Sequence, residues 1–422
     1  MTRKKRGLIN ALHDALYIFV EESKLAFKDE GVLIFFFLVP LLYPVLYSWI
    51  YTNESVKDVP AVIIDNSHTS LSREFIRKLD ATQGIKVFCY ANNMEEAKEM
   101  IRLQKCRGII TIPADFSDDI LNNRQTHVGL YADMSGILYY KGLMISLTDV
   151  SLSMGSEILV KKLGNYTDRE DALTQAPMKT EYIAMFNPQE GYGSYLLPGV
   201  LVLIIQQTLL LGIGLSAGTT RENNRYQLLI PIEKHYNGIF RIIFGKGMSY
   251  FLIYAAVSAY ITLAIPHMFH FIQIGLPRDL IGLLIPYLLA CIFFAMTMSC
   301  LIRYRENVIL IIVFSSVPLL MLSGILWPSS SLAGPWKAIS WLFPSTFGIN
   351  GFVKINSMGA TLNDIITEYR ALWIQVAAYF LIDCFVYYRQ IQMSKRMHIS
   401  RIEEIRRENR AEWDNTKALI NN

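Results

Sequence analysis

The sequence predicts a polytopic α-helical membrane protein with six transmembrane helices and an extracytoplasmic α/β domain inserted between helices one and two. Three observations predict it. Six apolar segments are arranged one-then-five, beginning near Val32, Tyr195, Ile243, Leu280, Val308 and Ala371. Each approaches the roughly 20 residues that a helix needs to cross about 30 Å of hydrocarbon. Between Thr52 and Gly193 the pattern changes to short apolar strands and amphipathic helices, the alternation of a small α/β domain. Composition agrees, because 52% of the 422 residues are hydrophobic and only 18% are charged, too apolar for an ordinary soluble chain. The net charge of +4 gives no reason to propose nucleic acid as a partner.

Residues 1–30 read as a cytoplasmic N-terminus carrying an amphipathic helix over Leu8–Lys28. Leu8, Leu12, Leu16 and Val20 recur every four residues, while Asn10, Asp14, Glu21, Glu22 and Lys24 fall elsewhere. Such a helix is too polar to span and lies in the inner interface or packs on protein. Residues 31–51 form the first span. It is full length and lacks a small-x-small cleavage site, so it reads as an anchor that stays.

Residues 52–193 read as the α/β domain. Ala61–Asp65, Ile85–Tyr90, Gly108–Ile112 and Val128–Ala132 are strand runs, with helices over Ser70–Leu79, Met94–Leu103 and Phe116–Leu121. A longer helix from Ile137 to Leu163, a polar stretch over Asn165–Asp171 and a strand-like run over Tyr182–Phe186 follow. Asp65, His68 and Ser70 are close in sequence, but a catalytic triad is assembled by geometry rather than proximity. Asp65-Asn66-Ser67 reads instead as a turn, with a helix cap at Thr69 or Ser70. Cys89 and Cys106 fall in this domain, where a disulfide and a pair of free buried thiols are both open. No Cys/His cluster suggests a metal.

Residues 194–390 hold the other five helices, and residues 391–422 a basic tail. Lys and Arg number six before the first span, five between Gly218 and Gly247, two at Arg303 and Arg305, and eight from Arg389 onward. The short loops of the other side hold Arg278, Lys337, Lys354 and Arg370. The positive-inside rule then places both termini in the cytoplasm. The spans are nearly free of charge: Asp383 is the one carboxylate inside a span, and Lys246 sits at the inner end of another. Ionisable groups in hydrocarbon mark ion pathways, and their scarcity here argues against an ion-gradient carrier. Asp383 reads as a snorkelling or Tyr-bonded residue, with Tyr387-Tyr388-Arg389 as an interfacial anchor.

Between the fifth and sixth spans the chain reads Ser323-Gly324-Ile325-Leu326-Trp327-Pro328, then Pro335, then Leu342-Phe343-Pro344-Ser345-Thr346, Gly351 and Gly359-Ala360-Thr361-Leu362. After the second span it reads Gly218-Thr219-Thr220-Arg221-Glu222-Asn223, with Arg225, Pro231 and Gly245-Lys246 further on. Asn187-Pro188 and Leu197-Pro198-Gly199 mark the start of the second span. In order and spacing these stretches resemble the membrane subunits of type-2 ABC transporters, the exporter family with a large extracytoplasmic domain between the first and second spans. One departure is plain: Asn224-Arg225-Tyr226-Gln227 stands where that family usually has Gly-Thr.

The resemblance implies the permease subunit of an ABC exporter in the bacterial inner membrane. It implies an ATPase-coupling loop carrying Arg221, Glu222, Arg225, Pro231 and Lys246. It also implies an outer re-entrant segment over about 327–362 that forms the exit with Ser323, Gly324, Pro328, Pro335, Pro344, Thr346 and Gly351. No Gly-x-x-x-x-Gly-Lys-Ser/Thr phosphate loop occurs, so ATP and Mg are expected on partner ATPase subunits rather than on this chain. A second permease subunit, the same or a paralogue, and a periplasmic adaptor are the other expected partners. A secondary transporter, and an anchored envelope protein whose outer domain does the work, are the alternatives.

Overall fold

The computed structural model describes residues 2–52, 56–163, 167–175, 185–188, 191–223, 238–302 and 304–420. Along the chain, helix α1 (Thr2–Lys28) is followed by α2 (Glu30–Ile50). Then come β1 (Val59–Asp65), α3 (Ser70–Asp80), β2 (Ile85–Tyr90), α4 (Met94–Arg102), β3 (Gly108–Ile112), α5 (Phe116–Leu121) and β4 (Gly129–Ala132). Two further helices, α6 (Ile137–Leu163) and α7 (Asp168–Gln175), close this part. The remainder is helical: α8 (Tyr192–Asn223), α9 (Ile239–Met268), α10 (Pro277–Leu301), α11 (Arg305–Leu322), α12 (Gly334–Ser340), α13 (Pro344–Met358) and α14 (Ile366–Ile420). The chain divides into two compact units, residues 1–52 with 192–422, and residues 53–191.

In the first unit α8 is the central element. Of its most apolar stretch 89% is buried, against 17% for α11 and 28% for α2. The apolar faces of α2 and α11 instead stay open, with Leu42, Trp49, Phe314 and Val317 exposed, as expected where lipid rather than protein is the neighbour. Helix α1 packs by Ala15, Ile18, Glu22 and Ala26, all buried and spaced about one turn apart. Its leucine stripe points elsewhere, because Leu12, Leu16 and Val20 are exposed. Gly245 of α9 permits the contact: a Cβ there would lie 2.7 Å from the Ala15 carbonyl oxygen and 2.9 Å from Ile18, closer than side chains pack.

In the second unit the sheet order is β2-β1-β3-β4, parallel except for the antiparallel β3–β4 pair. Residues alternate between its faces. Val59, Ala61 and Ile63 meet Phe75 and Leu79 of α3 and Leu143, Leu147, Val150 and Met154 of α6. Val62, Ile64 and Ile109 meet Ala97 of α4 and Cys106. Thr69 caps α3 by accepting from the Ser72 amide at 3.2 Å. Asp65 closes the preceding turn by accepting from the amides of Ser67 (3.0 Å) and His68 (3.2 Å) and from the Ser72 hydroxyl (2.8 Å). These side chains are occupied in holding the β1–α3 turn.

Seven helices among the described residues are long and apolar enough to cross a membrane. Six lie in the first unit and the seventh is α6. About three turns of α6, from Leu143 to Met154, are spent on the sheet and α3, since its buried residues recur at helical spacing. The polar stretch read at Asn165–Asp171 contributes the start of α7. Most of the run read as a strand at Tyr182–Phe186 lies outside the described residues, and Met185 and Phe186 are not in a strand. Cys89 and Cys106 are free thiols. The Cys89 thiol turns to Met100, with its Sγ 3.2 Å from Sδ, and burial raises the pKa of both thiols above the usual value.

The second unit has its own two-faced core, and residues 53–191 expressed alone should melt cooperatively with a mixed α/β circular dichroism spectrum. A disordered spectrum would show dependence on the first unit. Asp133 is held at a pKa of about 2 by the Ser135 hydroxyl and amide and by Arg107, whose Nη1 donates to it at 2.9 Å. A depressed carboxylate stabilises above its unfolded pKa of about 3.9, and that stabilisation is lost as pH falls toward the folded value. Asp133→Asn should therefore lower the melting temperature at pH 7 and leave it little changed near pH 2.

Candidate functional site

One end of the helical bundle is held by acid–base pairs that all reach across the chain. Asp14 of α1 accepts from Arg241 of α9. Eight residues on, Glu22 pairs with Lys246 of α9, and both side chains are buried, at 3% and 4% exposure. The Tyr250 hydroxyl donates to the other Glu22 oxygen at 2.7 Å, and the hydroxyls of Ser23 and Ser249 lie 2.9 Å apart. At the α1–α2 junction Asp29 caps α2, accepting from the amides of Gly31 (2.9 Å) and Val32 (3.2 Å). It also accepts from Arg305 at the start of α11 (2.6 Å) and from Thr219 near the end of α8 (2.5 Å). Burial alone would raise the Asp29 carboxyl. The hydrogen bonds from Thr219, Val32 and Arg305, with the Arg305 charge, outweigh it and hold the pKa below the usual value.

This geometry corrects the reading of the coupling loop. Lys246 is not presented to a partner, because it is spent inside the bundle on Glu22. Arg221 and Glu222 are not on a loop either, because α8 continues through Asn223. Arg221 is buried and donates to the carbonyl of Cys300 at 3.1 Å, the position where a cation caps the end of α10. Glu222 is the exposed one among the described members of the set. Arg225 and Pro231 lie outside the described residues.

Deeper in the same unit, the chain between α11 and α13 leaves regular helix, and its backbone groups are met by side chains. Ser323 ends α11, and Gly324 follows at φ +92°, a conformation that favours glycine. Pro328 precedes a short 3-10 turn over Ser329–Ser331, Pro335 lies in the first turn of α12, and Pro344 opens α13. The Ser345 amide, at the start of α13, donates to Gln206 Oε1 at 2.6 Å. Gln206 sits near the middle of the 32-residue α8, so α13 begins at mid-bundle. The Thr346 hydroxyl donates to Ser340 O (2.8 Å), and Asn350 Nδ2 donates to Ser323 O (3.0 Å) and Thr346 O (2.8 Å). From α14, Gln375 donates to Trp341 O at 2.7 Å, and the Tyr379 hydroxyl donates to Leu342 O. Gly351 faces Leu283 of α10.

Two stretches far apart in sequence meet here. The Tyr195 hydroxyl of α8 donates to Ile325 O, and Gly199 leaves room for the Ile325 side chain, which a Cβ would overlap. Pro198 is buried one residue before it. Asn187 and Pro188 belong to the second unit, where the Asn187 side chain brackets Gly191, donating to its carbonyl (2.9 Å) and accepting from its amide (3.2 Å).

Sequence reasoning missed Gln206 and its neighbour Gln207, both buried. Their signal was a pair of adjacent amides in an otherwise apolar run. Neither amide atom of Gln207 has a hydrogen-bond partner among the described residues. Asp383 does not snorkel. It is fully buried, and its Oδ1 accepts from Thr297 of α10 at 2.8 Å. Tyr387 is likewise buried rather than interfacial, whereas Tyr388 is exposed.

A bundle of spanning helices, one connection broken into short helices at mid-bundle and an inserted α/β unit define a polytopic membrane protein of the transporter class. Residues 31–383 match the ABC-2 family transporter protein family, and the chain belongs to it. Among curated relatives it is 22% identical over 391 residues to ABC transporter G family member 20 of Dictyostelium discoideum, covering 88% of this chain and half of that protein. It is also 22% identical over 367 residues to the linearmycin resistance permease protein LnrN of Bacillus subtilis strain 168, covering 82% of this chain and 91% of that protein.

Removing one partner of a buried ion pair leaves the other charge uncompensated, at a cost of about 3–5 kcal/mol, whereas an apolar replacement of both is often neutral. Lys246→Met should therefore lower the thermal stability of the purified protein strongly, and Glu22→Leu with Lys246→Met should recover most of the loss. Equal losses in the single and double variants would mean that the pair is not coupled. Gln206→Leu should cost about 1–3 kcal/mol by leaving the Ser345 amide unsatisfied, read in the same melt.

Proposed function

We propose that the chain is the permease subunit of an ATP-driven ABC exporter, with both termini cytoplasmic and residues 53–191 on the outer side. ATP and Mg belong in this reading to separate ATPase subunits, and a second permease subunit completes the pathway. The observation that carries it is the paired end of the bundle. Asp14, Glu22 and Asp29 join α1 to α8, α9 and α11, so a push on any of these elements is carried to the others. The exposed Glu222 lies at the end of α8, close to this assembly, where a partner can reach it. The broken α11–α13 connection is the part of the bundle whose backbone is met by side chains rather than by helix bonds, and we assign it to the exit. The Bacillus relative is named as a resistance permease, which supports export as the direction.

Coupling requires that each nucleotide state of the partner favour a different membrane conformation. In this reading the ATPase acts on Glu222 and the residues that follow it, and α1 moves with α9 because the Glu22–Lys246 pair and the close contact at Gly245 bind them together. A second reading, an ion-gradient carrier, is favoured by one observation: the Oδ2 of buried Asp383 has no hydrogen-bond partner among the described residues.

Two measurements test this. Single cysteines at Asn123 and Glu222, in a background lacking the native five, should be labelled by an impermeant thiol reagent from outside and only after permeabilisation, respectively. The reverse result inverts the topology. Glu222→Arg should weaken co-purification of the ATPase, or uncouple its hydrolysis from transport, while membrane insertion stays normal. Loss of a buried interfacial charge partner costs about 2–5 kcal/mol. Transport that follows an imposed proton gradient and is abolished by Asp383→Asn, with no ATPase bound, would select the second reading.

A further inference from the structure

A cavity of about 370 Å³ opens in the second unit between α3, α5 and α6. That volume falls in the range of about 300–1,000 Å³ typical of small-molecule sites. Its floor is apolar, made by Phe75, Phe116, Met154 and Ile158, of which the first three are buried. Its mouth carries two cations, Arg124 and Lys162, and no carboxylate is among the residues that line it. The Lys162 ammonium donates to the carbonyl of Ile120 and to Asn123 Oδ1 (2.8 Å), neutral partners that fix its position without cancelling its charge. Arg124 has no ion-pair partner among the described residues. The wall holds the Thr126 hydroxyl, buried and without a hydrogen-bond partner among the described residues. An orphaned buried hydroxyl is costly, and here it lies beside the cavity that a ligand would fill. Gly155 on α6 lines the cavity and faces open space, because a Cβ built there meets no atom within 4 Å.

An apolar floor with an all-cationic mouth selects an amphipathic anion. The tail is buried for the hydrophobic gain, and the head forms charge-assisted hydrogen bonds with the guanidinium and the ammonium. Arg presents a planar fork that matches a carboxylate. A cavity of this size admits one chain rather than the two of a bilayer phospholipid. We propose that residues 53–191 bind a single-chain lipophilic carboxylic acid in this cavity, with its carboxylate on Arg124 and Lys162 and its chain over Phe116 and Met154. The site deepens the exporter reading by giving the inserted unit a ligand class. Its capture needs neither nucleotide nor ATPase, so it stands or falls separately from that reading.

The test uses the full-length chain in phosphatidylcholine nanodiscs and a photoactivatable straight-chain fatty acid bearing a diazirine near its tail. Adducts are mapped by mass spectrometry after proteolysis. The acid should label α5 and the second half of α6, and its methyl ester should not. Arg124→Glu should reduce capture by about tenfold, the loss expected of one charge-assisted hydrogen bond. Gly155→Leu should abolish it, because the new side chain fills the open space. That substitution also removes a glycine from a helix interior, which favours the helix, so a melt at or above wild type separates blocking from misfolding. Equal labelling by acid and ester would overturn the proposal in favour of a plain apolar crevice. Labelling unchanged in Gly155→Leu would place the probe elsewhere. Absence of labelling in the wild-type chain, with the bilayer phospholipid in large excess, would mean that the cavity does not take a single-chain acid.

Discussion

Backbone that leaves a helix inside an apolar bundle must find hydrogen-bond partners there, because lipid supplies none. That constraint organises the first unit. The connection from α11 to α13 exposes the amide of Ser345 and the carbonyls of Ser323, Ile325, Trp341 and Leu342, and each is met by a side chain from α8, α13 or α14. Gln206 could not reach Ser345 from any position but mid-α8, so the depth of the break and the register of α8 are set together. The burial of α8 follows, since it must be surrounded to serve as the partner of so many elements.

The other end of the bundle is held by a different force. Buried charges gain little net stability, because desolvation offsets most of the attraction, but a broken pair is severely penalised. The Glu22–Lys246 pair therefore acts as a register pin: it tolerates one placement of α1 along α9 and resists others. Gly245 allows the two helices close enough for that pin to engage. Leu12, Leu16 and Val20 of α1 lie away from this contact and stay exposed.

Much of the fold was legible in the sequence. The strands at Ile85–Tyr90 and Gly108–Ile112 and the helices at Phe116–Leu121 and Ile137–Leu163 are found where period and punctuation put them, because a half-buried strand or helix writes its burial into every second or every third to fourth residue. The cap at Thr69 was legible for the same local reason. What the sequence hid was pairing at a distance. Asp14 and Glu22 read as the wet side of an amphipathic helix, yet their partners lie more than 200 residues away and no local pattern marks them. The resemblance assigns Arg221 and Lys246 to a coupling loop, and burial of a charge is invisible until its counter-ion or carbonyl is located. Asp383 was misplaced by the same route, since its hydroxyl partner Thr297 belongs to another helix.

The apolarity of α6 has a consequence for how the chain is made. A segment this long and apolar meets the length and composition of a span, and its packing on the sheet competes with that fate. The order of the chain places the competitor first: all four strands and α3 precede α6. Burial of α6 against the sheet is thus the alternative to burial of the same residues in lipid. A lesion that slows the sheet would not merely weaken a domain; it would hand α6 to the lipid, add a crossing, and reverse the orientation of every helix that follows.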